Sequence, residues 1–277
     1  MDKPSLQTKK LGLWAGTALV VGNMIGSGVF LLPASLAVFG SISLIGWLIA
    51  SAGAVLLAVV FGNLSRMVPG ANGGPYAFTK ATLGAFPGFL VAWGYWISVW
   101  TTNAAITVAL VSYLSVFFPV LAENRLVAVG TGLAFIWLLS WLNTREVRKV
   151  GAVQLITTIL KVAPLLLIGI AGLFYIQADN FLPFNAGGKS DIGAVTAATV
   201  LTLFAFLGME SATIPNSSIK NPGTTIKRAT IIGTGLTILV YITGAVAVTG
   251  IIPQHALADS NAPFADAAAA MWGGWAR

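Results

Sequence analysis

Two charged side chains stand inside long apolar stretches of this sequence. Lys161 lies in GAVQLITTILKVAPLLLIG, Gly151–Gly169, and Glu210 lies in TLFAFLGMESATIP, Thr202–Pro215. An ionisable group in apolar surroundings loses hydration, and such a group can bind and release a proton. Each residue also has a structural interpretation. Lys161 can bond exposed carbonyls and pin two helices together, and Glu210 can bond backbone amides.

A third feature is the stretch GNMIGSGVF, Gly22–Phe30, which places Gly-Ser-Gly inside an apolar run. Glycine and serine are poor helix formers, so we expect the helix to break here. A half-helix that starts near Gly28 presents backbone amides and a positive dipole end, which suit a carboxylate. The alternative is that Gly26 and Gly28 are small residues that let two helices pack closely.

The stretch around Glu210 carries a second interruption, because Gly208 precedes the carboxylate and Pro215 follows it. Paired interruptions in corresponding spans are typical of transporter binding sites. The sequence therefore predicts a substrate site where the first and sixth spans are broken.

The sequence lacks the motifs that are typical of several other classes of protein. The chain has no cysteine, no HExxH, no GxSxG and one histidine, His255, in a predicted loop, so we expect no enzyme, metal site or cofactor. It also lacks a nucleotide-binding loop. Two isolated charges with two broken helices favour an occluded site over a channel, which needs a continuous pore lining.

The composition predicts an all-α polytopic membrane protein. Hydrophobic residues make up 57% of the 277 residues and charged residues 8%, and the mean hydropathy is +0.87. A span needs about 20 apolar residues. An eighth helix is expected to begin near Pro263 and to reach Arg277 without a stop signal, as in a truncated chain. Seven complete spans are predicted at about 13–37, 42–63, 86–118, 126–143, 151–176, 192–214 and 230–252.

The basic residues predict the orientation. With a cytoplasmic N-terminus and alternating spans, only Arg125 and Lys189 fall outside, as the positive-inside rule requires. The net charge of +7 is therefore a topology signal, and we expect no nucleic-acid partner. The loop Pro69–Thr82 is expected along the cytoplasmic surface. The residues on that side are Lys3, Lys9, Lys10, Arg66, Lys80, Arg145, Arg148, Lys149, Lys220, Lys227 and Arg228.

Four motifs, in this order, resemble the amino acid–polyamine–organocation superfamily over nearly the whole chain. Its basic amino-acid and polyamine antiporters are the nearest match, with neutral amino-acid carriers second. The motifs are GNMIGSGVFLLP (Gly22–Pro33), PGANGGPYAF (Pro69–Phe78), FAFLGMESA (Phe204–Ala212) and KNP (Lys220–Pro222).

The resemblance implies a five-plus-five inverted-repeat fold with discontinuous helices 1 and 6. It implies one transporter domain over 1–277, with a first repeat at about 13–176 and the start of a second at about 192–277. Tyr95 matches a lower aromatic gate position, and Lys161 and Glu210 are candidates for proton coupling or gating. The implied substrate-binding residues are Asn23, Met24, Gly26, Ser27, Gly28, Asn103, Ile106, Phe204, Ala205 and Leu207.

Within that set, the resemblance implies that Gly26–Gly28 offer amides and a hydroxyl to the substrate carboxylate, while carbonyls near Ala205 take its ammonium. Two positions depart from the basic-substrate pattern. Phe204 replaces a tryptophan that stacks on the substrate, and Ile106 replaces a methionine. A tryptophan face holds a guanidinium best, so these changes favour an apolar or small side chain.

The expected coupling ion for transport depends on Lys161. Some proton-dependent members of the superfamily carry a lysine on span 5, where sodium-driven relatives of the fold hold an ion. We therefore expect sodium-independent, proton-coupled transport of amino acids by alternating access across a bacterial-type cytoplasmic membrane. The alternative is exchange without direct proton coupling. The expected partners are an amino acid, protons and the lipid bilayer, with a homodimer as one option.

Overall fold

The computed structural model describes residues 10–68, 70, 72–144, 147–188 and 190–276. Within these residues the secondary structure is helical, apart from one isolated parallel bridge between Leu11 and Ile219. The α-helices are α1 (Leu13–Met24), α2 (Ser27–Ala37), α3 (Ser43–Met67), α4 (Pro75–Leu83), α5 (Ala85–Leu114), α6 (Val120–Glu123), α7 (Arg125–Asn143), α8 (Val147–Ala171), α9 (Asp191–Leu203), α10 (Pro222–Ile251), α11 (Gln254–Ala258) and α12 (Pro263–Trp272).

Seven helical stretches in the described part of the chain are long and apolar enough to cross a membrane. The prediction of an all-α polytopic membrane protein with discontinuous helices 1 and 6 is therefore confirmed. The stretches are Leu13–Ala37, Ser43–Met67, Ala85–Leu114, Arg125–Leu142, Thr157–Phe174, Asp191–Thr213 and Pro222–Ile251.

Most predicted span ends lie within about five residues of the observed helix ends, and three differences have a clear physical reason. The seventh span begins at Pro222, not near 230, because proline suits the first helical turn and the helix then continues through polar Lys227 and Arg228. Part of the predicted surface loop forms α4, which starts at Pro75. The last helix begins at Pro263 as predicted but ends at Trp272, where Gly273 has φ 95° and stops it.

Some residues used for the orientation cannot be placed. Lys3, Lys9, Arg145 and Lys189 lie outside the described residues, as do the side chains of Arg148 and Lys149. The cytoplasmic N-terminus stays a prediction.

Contacts divide the chain into two compact units, each assembled from three separate stretches. The first unit contains the described part of Met1–Met24 together with Gly53–Ile97 and Leu207–Leu236. The second unit contains Ile25–Ala52, Ser98–Phe206 and the described part of Thr237–Arg277. The single transporter domain over 1–277 and its repeat boundaries remain predictions.

In the first unit, small residues let α1 and α10 approach each other closely. A Cβ added to Gly16 would lie 3.1 Å from the Cβ of Ala229. A Cβ added to Gly233 would lie 2.8 Å from the Cβ of Val20. Such small-residue contacts are typical of helix pairs inside membranes.

The core of the second unit contains three packed aromatic rings. The ring centroids of Trp47 and Tyr241 are 5.4 Å apart, and Phe206 lies 6.0 Å from Trp47 and 5.5 Å from Tyr241. All three side chains are at most 1% exposed. This cluster holds the non-helical segment that follows α9 against α3 and α10.

Candidate functional site

The first span is broken between α1 and α2, as the Gly-Ser-Gly stretch predicts. Helix α1 ends at Met24, and Gly26 has an extended conformation (φ −124°, ψ −147°) before α2 begins at Ser27. The first amides of a helix have no partner within that helix, so this end of α2 offers donors and positive partial charge.

Ser27 adds a side-chain hydroxyl to the backbone amides at the start of α2. Its side chain is 6% exposed, and its Oγ has no hydrogen-bond partner among the described residues. A buried hydroxyl without a partner is costly, and such groups usually meet a ligand or an ordered water. The start of α2 thus combines an unsatisfied hydroxyl with the amides of its first turn.

The two interruptions meet directly in the second unit. A Cβ added to Gly28 would lie 3.0 Å from both Cα and Cβ of Ala205. Glycine at 28 therefore allows the backbones to touch, which satisfies the small-residue interpretation at that position. The donor interpretation is compatible with it, since Ser27 belongs to the same helical turn.

The sixth span is broken over a longer stretch than the first. Helix α9 ends at Leu203, and short 3₁₀ turns cover Phe204–Phe206 and Met209–Thr213. Between them, Gly208 has φ 105°, a conformation that strongly favours glycine. The break therefore needs both a glycine and non-α hydrogen bonding.

The carbonyl predicted to take the substrate ammonium already has one partner. The hydroxyl of Tyr241 donates a 2.9 Å hydrogen bond to the oxygen of Ala205. A carbonyl oxygen can accept two hydrogen bonds, so the bond from Tyr241 does not by itself prevent this oxygen from accepting a second one. Phe204, beside it, is half-buried. Tyr241 was not among the site residues predicted from the sequence, although a tyrosine in an apolar span indicates a hydrogen-bonded hydroxyl.

Three predicted substrate residues lie in the first unit. The side-chain amide of exposed Asn23 donates to the Leu19 oxygen at 2.8 Å, so it bonds its own helix. Met24 is buried, with its sulfur 3.9 Å from the hydroxyl of Thr234. Leu207 is 45% exposed.

Asn103 and Ile106 occupy one face of α5, because residues three apart on a helix are neighbours. Asn103 is exposed, and Ile106 is 41% exposed. Both side chains are therefore accessible within the second unit. Their part in a substrate pocket stays a prediction.

Glu210 is held at both carboxylate oxygens. The hydroxyl of Tyr95 donates to Oε1 at 3.0 Å, and the amide of Gly208 donates to Oε2 at 3.2 Å. The backbone interpretation of Glu210 is therefore met by Gly208. The bond from Tyr95 brings together two residues that were predicted from the sequence as gating candidates.

Lys161 is half-buried in α8. Relative to the whole helix, Val147–Ala171, its position is central.

Comparisons with known proteins agree on one family. The family model for amino acid permeases matches residues 11–277. The cadaverine/lysine antiporter of Escherichia coli (strain K12) is 38% identical over 270 residues, which cover 97% of this chain and 60% of that protein.

Two further relatives are arginine/ornithine antiporters. A putative one from Bacillus subtilis (strain 168) is 35% identical over 297 residues, covering 96% of this chain and 63% of that protein. The one from Pseudomonas aeruginosa is 36% identical over 265 residues, covering 92% of this chain and 55% of that protein. The chain thus spans about 60% of the length of these relatives.

Proposed function

Since the chain belongs to the amino acid permease family, we propose that the protein carries amino acids across the cytoplasmic membrane by alternating access. It acts as a secondary transporter without sodium, and its N-terminus lies in the cytoplasm. The protein lies in the lipid bilayer, and a homodimer is compatible with this function.

The observation that carries the proposal is the meeting of the two helix breaks. The start of α2 offers amides and the unpartnered Ser27 hydroxyl, while Ala205, in contact with Gly28, offers a carbonyl oxygen. Donors on one side and an acceptor on the other match the carboxylate and ammonium that every free amino acid carries. Gly26, Asn103, Ile106 and Phe204, which belong to the same unit, complete the proposed substrate site. Asn23, Met24 and Leu207 remain substrate-binding candidates from the sequence resemblance alone.

The substrate side chain has two candidates. The three relatives are named for lysine with cadaverine and for arginine with ornithine, which supports a basic amino acid here. Phe204 and Ile106 favour a smaller or apolar side chain, because phenylalanine attracts a cation less strongly than tryptophan does.

The transport mode also has two candidates. The antiporter names support exchange of one substrate for another. The position of Lys161 in an apolar helix favours proton coupling, because a proton is the simplest ion such a group can bind and release. In both modes Tyr95 and Glu210 act as a gate that opens when their hydrogen bond breaks.

The test is uptake into proteoliposomes that contain the protein at its full native length. A panel of radiolabelled neutral and basic amino acids is offered in sodium-free buffer, with and without an inward proton gradient. A second set of vesicles is preloaded with unlabelled amino acid or diamine. The matched control is vesicles that carry the Gly26→Trp variant, which fills the start of α2.

Saturable uptake that depends on preloading and ignores the gradient identifies an exchanger. Gradient-stimulated uptake into empty vesicles identifies a proton-coupled carrier. No saturable uptake of any amino acid above the Gly26→Trp background would overturn the proposed function.

A further inference from the structure

Three aromatic residues from three helices pack together in the second unit. The ring centroid of Phe30, on α2, lies 5.5 Å from that of Tyr113, on α5, and 5.9 Å from that of Phe264, on α12. Both pairs have the edge-to-face geometry that aromatic rings favour. We call Phe30, Tyr113 and Phe264 the aromatic clasp.

The hydroxyl of Tyr113 adds two hydrogen bonds to this packing. It donates to the carbonyl oxygen of Phe30 at 3.0 Å and accepts from the amide of Phe264 at 3.4 Å. That amide belongs to the first turn of α12, where it has no acceptor within its own helix. One side-chain oxygen therefore joins the backbone of α2 to the start of α12.

Neighbouring contacts hold the clasp in place. The Oγ of Ser112 donates to the carbonyl of Asn261 at 2.7 Å, just before α12 begins. Gly244, on α10, leaves space for the Phe264 ring, since a Cβ there would lie 3.0 Å from the ring Cζ. Phe264 itself is 3% exposed. The clasp thus combines one buried ring, Phe264, with two half-buried rings, Phe30 and Tyr113.

We propose that Tyr113 is a positioning residue that closes α2 against α12 and so controls access to the start of α2 from that side. Phe30 follows Ser27 by about one helical turn, so α2 cannot swing away from α12 without breaking the clasp. This inference rests on the proposed transport function. With the proposed orientation, the clasp closes the extracellular side.

The test measures opening directly and does not depend on transport. Ala34 is buried one turn beyond Phe30 on α2, and this chain has no native cysteine. Ala34→Cys is introduced into the full-length protein after any cysteine outside these 277 residues has been replaced. Labelling by a membrane-impermeant maleimide is then timed in right-side-out and inside-out vesicles.

Adding Tyr113→Phe, which keeps the ring and removes the hydroxyl, is expected to speed labelling from the outer side about three- to tenfold. Ser112→Ala should act in the same direction by a smaller factor. The matched control is Tyr175→Phe, because Tyr175 is an exposed tyrosine of the same unit, and it should leave the labelling rate unchanged. An unchanged rate in both Tyr113→Phe and Ser112→Ala would overturn the proposal.

A transport measurement adds a second readout. Loss of an outer clasp shifts the protein toward the outward-open state, so the KM measured from outside should fall and the KM measured from inside should rise. A purely structural defect lowers the amount of active protein and moves neither KM, which would count against the clasp. If no amino acid is transported, the labelling result still decides the role of Tyr113 separately from the proposed function.

Discussion

The hydroxyl of Tyr95 donates a 3.0 Å hydrogen bond to the carboxylate of Glu210, which lies 115 positions further along the chain. The other oxygen of that carboxylate accepts the amide of Gly208, at the centre of the break in the sixth span. Glu210 therefore ties the third span to the 3₁₀ turn Met209–Thr213 of the sixth. Breaking this tie is a local change that would release the two helices from each other.

If the tie is a gate, Tyr95 and Glu210 act as one unit. Tyr95→Phe and Glu210→Gln should each lower the uptake rate about fivefold to tenfold, since a hydrogen bond to a charged group is lost. The double variant should be no slower than the slower single variant, because the same interaction is removed in all three. Initial uptake rates in proteoliposomes measure this.

Tyr76→Phe is the matched control for this cycle, as Tyr76 is a half-buried tyrosine of the same unit. It should retain the parent uptake rate. Additive losses in the Tyr95 and Glu210 double variant would contradict the gate.

Ser27→Ala tests the carboxylate site. The change removes a buried hydroxyl without a partner among the described residues, so the thermal midpoint should stay level or rise slightly. The KM should rise about tenfold, because the substrate loses one hydrogen bond. Ser51→Ala is the matched control, since Ser51 is equally buried and also lacks a partner in the described chain. A KM shift of similar size in both variants would rule out a specific role for Ser27.

Gly28→Ala tests the contact between the two breaks. The added Cβ meets backbone and side-chain atoms of Ala205 at 3.0 Å, and a backbone cannot move aside as a side-chain tip can. We expect a loss of about 1–3 kcal/mol in stability, seen as a lower thermal midpoint in detergent. In contrast, Gly130→Ala should be neutral or stabilising, because no atom lies within 4 Å of that Cβ. Equal midpoints for the two variants would show that the contact is not tight.

Substitution of Lys161 distinguishes proton-coupled transport from exchange. If it couples protons, Lys161→Ala should abolish gradient-stimulated uptake and leave exchange into preloaded vesicles. The exposed Lys80→Ala should leave both activities intact, since the charge lost there lies on a short surface helix. Unchanged uptake and an unchanged pH profile in Lys161→Ala would remove proton coupling from the proposal. Loss of both activities with a lowered thermal midpoint would identify Lys161 as a structural pin.

Much of the fold was predictable because its cause is local. Seven apolar stretches can be predicted as spans from their local sequence alone, because each satisfies its own backbone hydrogen bonds as a helix. The breaks at Gly26 and Gly208 were predictable for a similar reason, because glycine weakens a helix wherever it stands. Helix ends were less certain, because polar residues can extend a helix beyond the apolar stretch, as after Pro222, and a glycine such as Gly273 can end a helix early.

The sequence by itself determined the elements, the breaks and the chemical groups that stand near them. Tertiary structure alone decided which of these groups meet: Gly28 with Ala205, Tyr241 with the Ala205 carbonyl, and Tyr95 with Glu210. Each pair joins residues from different spans, so no local pattern encodes it. Inside a membrane, the partner of a polar group depends on how helices pack, because each group must find the nearest donor or acceptor that packing provides.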